Sequence, residues 1–481
     1  MSRINTSAVS EIFSKQPKIF KYWLSLSFVF GIALVFIIPP FQSPDEFNHF
    51  YRIYQITDGH LVGQFNADSS QLGGYVPKSL VSISKPFDEP LVYKNDVRVS
   101  IDTVKKYGEV PLRRHDTMFV PFPNTARYAS TAYLSQILTF SYLKLFDAKP
   151  MTLMYVGRLA TFLTWLFLVA AAVCLTPILK ELLMIFLFLP ASLAINSTLN
   201  ADVFTNALVF LVFAFFLRFR YTEKINTKEL YFFSALILLI TLNKIVYFPI
   251  LFLFLLIPTK NFITPKFKFY FILLNVLLNI TVIFFWSREV NSLIYPDANN
   301  LYRTTYLNIH LGGFVVNPAL QTKLILQAPI SFGVQLLKQS LIIFTGRTPS
   351  SWIGSFGWDG YMPSGLGLSL LYTIILWAAI QNYFFKIWER VFLFVLGFVM
   401  MLLFILSQHL HWDAVGEKFD AGYVGKYFIP IFPFYFWSVT GVLVNLGFYK
   451  NLKSILNWIV ILLFIFEYID FWILICQRYY F

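Results

Sequence analysis

Apolar runs without a single charge recur along the whole chain. They cover Trp23 to Pro44, Leu159 to Leu179, Val203 to Leu217, Phe269 to Ser287, Gly360 to Phe385 and Tyr427 to Tyr449. Several reach the roughly 20 residues that a helix needs to cross a bilayer. The pattern therefore predicts an all-α polytopic membrane protein, built as one transmembrane domain over residues 1–481. Two long polar stretches interrupt it, within residues 41–150 and 287–363. A connector longer than about 15 residues is usually functional.

Basic residues orient the spans. Arg3, Lys15, Lys18 and Lys21 precede the first run, which puts the N-terminus in the cytosol by the positive-inside rule. The parity of the rest depends on the moderately apolar stretch Tyr128 to Phe146. If that stretch lies along the membrane surface, then Lys180, Arg218, Arg220, Lys224, Lys260, Lys266, Lys268, Lys386, Arg390, Lys450 and Lys453 all fall on the cytosolic side. If it crosses, the first of these clusters move outside. The first arrangement obeys the rule throughout, so Tyr128 to Phe146 is expected to be an interfacial helix. The same bookkeeping makes Leu230 to Pro258 a helical hairpin that breaks near Asn243 and Lys244, and makes Leu324 to Phe344 a second surface helix. It yields about eleven spans. No internal repeat of the transporter kind is visible.

Composition agrees with the pattern: 57% of residues are hydrophobic and 13% charged, against about 25% charged in soluble domains. The formal net charge of +13 is read as attraction to membrane lipid headgroups, not to nucleic acid. The first apolar run passes straight into Ile38-Pro39-Pro40 without a small-residue cleavage site, so it is expected to be retained and not to act as a signal peptide. Cys174 and Cys476 sit in separate apolar segments and offer neither a disulfide framework nor a thiolate metal site.

Under this topology the polar groups that are hardest to explain by packing gather on one side. They are Asp45, Glu46, His49 and Arg52 after the first span, Asn200 and Asp202 between two spans, and Lys244 and Tyr247 at the hairpin tip. Arg347, Trp358, Asp359, Lys426 and Tyr427 follow in later segments. Around Asp45 the prolines disfavour helix, Asp45 can cap the helix that follows, and Gly59 can end it. Glu46, His49 and Arg52 then recur about one turn apart. Spacing alone leaves Asp45 open to being a helix cap and nothing more.

The string Pro44-Asp45-Glu46-Phe47-Asn48-His49-Phe50-Tyr51-Arg52 has the pattern Pro-Asp-Glu-x-x-His-Phe-x-Arg. It resembles the opening of an uncharacterised family of bacterial membrane proteins related to the GT-C glycosyltransferases. Four further segments match in order: Asn200 with Asp202, Lys244 with Tyr247, Gly354 to Pro363, and Gly425 to Pro430. This chain has Lys426 where the family usually has Arg, which keeps the charge but loses the bidentate fork.

The resemblance implies a GT-C-like enzyme of the bacterial inner membrane. It would move a sugar from a polyprenyl-phosphate donor to a lipid-linked or envelope glycan, such as an O-antigen or wall polymer, at the extracytoplasmic face. An acidic residue of the first outer loop serves as base in such enzymes, which assigns Asp45 to that role. Asp202 would hold the acceptor or share the role, and Glu46 would position them. Lys244 would stabilise the leaving phosphate, with Arg347 and Lys426 as further cations. His49, Arg52, Asn200, Tyr247, Trp358, Asp359 and Tyr427 complete the expected substrate-binding set. No cofactor and no metal are called for. The alternatives are a flippase or exporter of lipid-linked sugars, or a polymerase of glycan repeat units.

Other signals point to less. His409, His411 and Asp413 form a His-x-His-x-Asp string, but with no third strong ligand identifiable they are expected to form a hydrogen-bonded rim and not a metal site. Glu467 and Asp470 lie one turn apart in the last apolar run, near its outer end, where a loop cation or water can serve them. Arg158, near the start of a span, is expected to bind a headgroup or snorkel.

Overall fold

A computed structural model of the chain describes residues 16–66, 71–87, 96–294, 317–343, 347–358, 365–382, 385–417, 425–444 and 449–481. The fold is overwhelmingly helical. The helices that position the site are α1 (Lys18–Ile37), α2 (Glu46–Thr57), α3 (Leu134–Lys144), α4 (Pro150–Leu175), α5 (Lys180–Leu187), α6 (Pro190–Asn196), α7 (Asp202–Tyr221), α8 (Thr227–Asn243), α9 (Pro265–Ile294), α10 (Pro318–Gln327), α11 (Pro329–Ile342), α12 (Arg347–Gly354), α13 (Leu366–Ala379), α14 (Ile387–His411), α15 (Phe432–Val439) and α16 (Tyr449–Tyr479).

Prolines and short polar side chains set many of these boundaries. Pro150, Pro190, Pro318 and Pro329 open their helices, where a missing N–H costs nothing. Asn226 and Asn317 accept hydrogen bonds from the first free N–H groups of α8 and α10. The first span stops at Ile38-Pro39-Pro40, and α2 ends at Gly59 in the left-handed conformation (φ 92°).

Among the described residues six helices are long and apolar enough to cross a membrane: α1, α4, α7, Pro265–Val290 of α9, α14 and Leu452–Tyr479 of α16. Their burial separates centre from rim. Nine-tenths (89%) of the apolar window of α7 is buried, against 17% for α9. So α7 is the central post, packed on α4 and α8, and α9 turns Leu277, Phe284 and Phe285 outward, as a lipid-facing helix does.

Several of the remaining expected crossings are broken or shortened. Lys180–Asn196 divides into α5 and α6 at Pro190, and the expected hairpin divides at Lys244, whose backbone is extended (φ −153°, ψ 97°). A short 3-10 and α-helical stretch, Ile245–Leu256, follows it. Leu366–Ala379 and Tyr427–Val439 are also apolar but short. Irregular backbone at membrane depth is tolerated where protein buries it. Tyr128 to Phe146 holds only the 11-residue α3 beyond a single 3-10 turn. At 1.5 Å per residue α3 is roughly half the span of the hydrocarbon core. It lies against α2 and α4 and exposes Leu138 and Tyr142, as the turn after it exposes Leu145 and Phe146. The surface helix expected at Leu324 to Phe344 is two helices, α10 and α11, parted at Ala328 because a residue before proline is driven out of helical geometry.

The all-α expectation misses one element. The first large loop carries a three-stranded antiparallel sheet, β1 (Gln64–Asn66), β2 (Gln71–Pro77) and β3 (Thr117–Pro121), with β2 in the middle. Gly73 pairs with Pro121, and a Cβ there would stand 2.0 Å from the Val120 carbonyl oxygen, so the strands meet this closely only at glycine.

Candidate active site at the ends of the spanning helices

One cavity of about 370 Å³ collects the ends of several helices. Its wall takes Asp45 from the turn after α1, Asp202 from the start of α7, Lys244 from the break after α8, Trp286 and Val290 from α9, His411 from the end of α14, and Tyr427. A volume in this range holds a small ligand. The basic clusters at Arg218 and Arg220, Lys266 and Lys268, and Lys386 and Arg390 lie at the opposite ends of α7, α9 and α14.

Asp202 and Lys244 form an ion pair, Nζ to Oδ1 2.5 Å, with side chains 8% and 13% exposed. Asp202 opens α7, where the helix dipole favours a carboxylate. The Lys244 ammonium also lies 4.6 Å from the centroid of the Tyr427 ring and 5.9 Å from that of Tyr247, so aromatic faces share its charge. Tyr247 itself does not line the cavity and donates to the Tyr427 carbonyl (3.0 Å).

Asp45 is half-buried on the same cavity. It stands directly before α2 in the left-handed conformation (φ 63°), and its side chain makes no capping hydrogen bond. The helix begins through its backbone carbonyl, which accepts from His49 N (3.0 Å). A non-glycine residue in this region is uncommon, though aspartate tolerates it better than most. Phe41, four residues earlier, is also left-handed (φ 63°).

The α2 residues diverge. His49 lines the cavity, with Nδ1 2.7 Å from the Tyr133 hydroxyl and its ring stacked near Tyr128. Burial first, then the Asp202 and Asp45 carboxylates, push the Tyr128 phenol well above its ordinary range. Burial does the same to Tyr133, reinforced by both carboxylates and opposed by Arg52. Both phenols therefore stay protonated beside the two acids. Arg52 is fully buried and spends its Nη donors on Gln55 Oε1 (2.6 Å) and the carbonyls of His60 (3.1 Å), Leu61 (2.5 Å) and Tyr128 (3.4 Å). Burial lowers it to about 10. Its work is to fold the loop after α2. Glu46 is fully buried away from the cavity, against Arg158 (Nη2 to Oε2 2.5 Å). Arg158 does not snorkel: its side chain has no exposure.

Asn200 also stands outside the cavity. Its Oδ1 accepts from Val203 N (3.1 Å) at the start of α7, and its Nδ2 donates to the Ile195 carbonyl (2.9 Å). Trp358 stacks on Phe47 (5.8 Å between centroids). Asp359 lies outside the described residues. Arg347 begins α12 and Lys426 is the second residue of the 3-10 stretch Gly425–Ile431, and only their backbones are described.

Sequence reasoning passed over one charged cavity residue, Arg127, and read His411 only as part of a hydrogen-bonded rim. Arg127 Nη1 donates to His411 Nδ1 (3.0 Å), so that imidazole is held neutral on this nitrogen. The available signal was an arginine where the polar loop meets the apolar stretch at Tyr128. His409 points elsewhere, to Asp413 (2.7 Å) and Gln321 (2.5 Å). Among the described residues no three His, Cys, Asp or Glu side chains come together to hold a metal.

Arrangements of this kind can accept a proton at a carboxylate and meet a negative charge with a fixed cation. No curated protein and no solved structure matches the chain. A family model described as a predicted membrane protein (DUF2142) matches residues 28–435, which takes in Asp45, Asp202, Lys244, His411 and Tyr427. The chain belongs to this family of predicted membrane proteins.

Proposed function

We propose that the protein is a glycosyltransferase that passes a sugar from a polyprenyl-phosphate donor to a cell-envelope glycan at the outer face of a bacterial inner membrane. The observation that carries this reading is the Asp202–Lys244 pair facing the same cavity as Asp45. The acceptor hydroxyl attacks the anomeric carbon, the bond from that carbon to the phosphate oxygen breaks, and the hydroxyl proton goes to Asp45. Lys244 meets the charge that develops on the departing lipid phosphate. Asp202 holds Lys244 in place and orients the acceptor. Trp286, Val290 and Phe404 give the cavity an apolar wall suited to the first isoprene units.

The outer-face assignment is supported by charge. The cavity lies at the helix ends opposite Arg218, Arg220, Lys266, Lys268, Lys386 and Arg390, the ends that the positive-inside rule assigns to the cytosol. A second reading, a flippase or exporter of lipid-linked sugars, is favoured by the two broken segments at Pro190 and Lys244, since interrupted helices mark many transporter sites. Reconstituted protein given radiolabelled polyprenyl-phosphate sugar separates them. Label passing to a glycan acceptor supports the transferase, whereas intact labelled lipid crossing the bilayer supports the flippase.

A further inference from the structure

We infer that Arg158 and Glu46 are positioning residues for this cavity: one buried carboxylate, held by one buried guanidinium, fixes the Asp45 segment against the Asp202 segment. The inference rests on Asp45 and Asp202 forming the proposed site. Neither Arg158 nor Glu46 lines the cavity, so neither touches a substrate there.

The need for the pair arises at the end of α1. In an uninterrupted helix the Val35 carbonyl would accept from residue 39, but Pro39 has no N–H. Arg158, reaching across from α4, supplies the missing donors: Nη1 to the carbonyls of Val35 (2.9 Å) and Ile38 (2.7 Å), and Nη2 to that of Pro39 (2.9 Å). Its other two N–H groups go to Glu46, Nε to Oε1 (2.7 Å) and Nη2 to Oε2 (2.5 Å). All five donors of the guanidinium are thereby used, and a lysine could not replace them. The approach of α1 to α4 that permits this is itself close, for a Cβ on Gly31 would overlap the Phe162 ring at 1.9 Å.

Glu46 then ties in the second segment. Its Oε1 also accepts from the backbone N–H of Leu199 (2.9 Å). Glu46 directly follows Asp45, and Leu199 lies three residues before Asp202. A single carboxylate is thus bonded to both segments that carry the cavity acids. Thr198 adds a lesser tie, its hydroxyl donating to that of Ser43 (3.1 Å).

A buried ion pair is weak grounds for stability, because apolar residues of equal volume often serve as well. What it adds is direction. The left-handed backbones of Phe41 and Asp45 persist only where their surroundings over-determine them, and the Arg158–Glu46 network supplies that constraint on either side of the turn.

The test uses the full chain with Cys174 and Cys476 replaced by serine, and cysteines placed at Ser43 and Thr198, whose hydroxyl oxygens lie 3.1 Å apart. Rapid oxidative crosslinking is expected with the pair intact. In a Glu46→Leu/Arg158→Met double variant that keeps its melting temperature, the rapid crosslink is lost. In the same variant with native Ser43 and Thr198, kcat for sugar transfer falls about 10²-fold while donor KM is nearly unchanged, as misplacement of a reacting group by an ångström predicts. If the double variant does not fold, Glu46→Gln decides: it keeps the shape and an acceptor for Leu199 N but loses the charge that holds Arg158. Slowed crosslinking with a reduced kcat supports the inference. Wild-type crosslinking in the folded variant overturns it, whatever the reaction proves to be. Lost crosslinking in a protein that transfers no sugar under any condition leaves the bracket standing and removes the proposed function instead.

Discussion

Lys244 Nζ lies 2.5 Å from Asp202 Oδ1 although the two residues belong to different helices, one at the start of α7 and the other at the break after α8. Both are nearly buried, so neither charge can lose the other cheaply. Breaking such a pair from one side costs about 3–5 kcal/mol. Lys244→Ala should therefore lower the melting temperature, and adding Asp202→Asn should restore most of it. Donor binding should not return with stability. A lost charge-assisted contact to phosphate, about 1.5–3 kcal/mol, corresponds to roughly 10- to 100-fold in donor affinity. Thermal unfolding in detergent and donor titration on the single and double variants check both halves. A double variant that binds donor normally would remove Lys244 from the site.

Asp45 offers a separation of strain from chemistry. Its left-handed backbone suits glycine and asparagine and disfavours a residue with an ordinary Cβ by about 1–2 kcal/mol. Asp45→Ala should be the least stable substitution, Asp45→Gly should be at least as stable as the native protein, and both should be inactive. Denaturant midpoints and transfer assays on the same preparations measure this. An active Asp45→Gly variant would show that the residue serves the turn alone.

The sequence made much of this legible, and the reasons are physical. Charge-free runs long enough to span, prolines that stop α1, and a break at Lys244 all follow from local rules. The small sheet did not announce itself, because β1 is three residues long and the Gly73-Gly74 pair in β2 weakens any strand pattern. The divided segments at Pro190 and Ala328 read as continuous apolar runs. The fates of Glu46, His49 and Arg52 were beyond reach for another reason. Spacing placed them on one helix, but that His49 meets the cavity beside Tyr133 and Glu46 meets Arg158 is decided by partners more than 80 positions away, and Arg52 is claimed by the carbonyls of a nearby irregular loop whose path no local pattern shows. Arg158 illustrates the limit: an arginine near a helix start reads as a headgroup ligand until its five acceptors are in place.

Tyr128 and Tyr133 provide a pH signature. Their folded pKa values are raised, chiefly by burial, so the stability they contribute is fully present below the unfolded tyrosine pKa of about 10. It is lost as pH rises from there toward the folded values. Phenolate absorbance should therefore lag behind that of exposed tyrosines and appear together with unfolding in alkali. Replacing both by phenylalanine should flatten the alkaline loss of stability. Early, reversible ionisation of both phenols in the folded protein would contradict their burial beside the cavity.

Topology can be read by labelling. In a background lacking Cys174 and Cys476, single cysteines at the exposed positions His60 and Glu109 should react with a membrane-impermeant reagent in intact cells. A cysteine at the exposed Lys260 should react only after permeabilisation. The reverse pattern would put the cavity in the cytosol.

The most direct measurement is sugar transfer from a radiolabelled polyprenyl-phosphate donor by the wild-type protein and by Asp45→Asn, at equal amounts of folded protein. Asparagine keeps the shape and tolerates the left-handed backbone, so only the proton acceptor is removed. The account predicts transfer by the wild type and a fall of about 10²- to 10⁴-fold in the variant. Equal rates in the two proteins, or wild-type protein that moves the intact lipid across the bilayer without transferring its sugar, would contradict it.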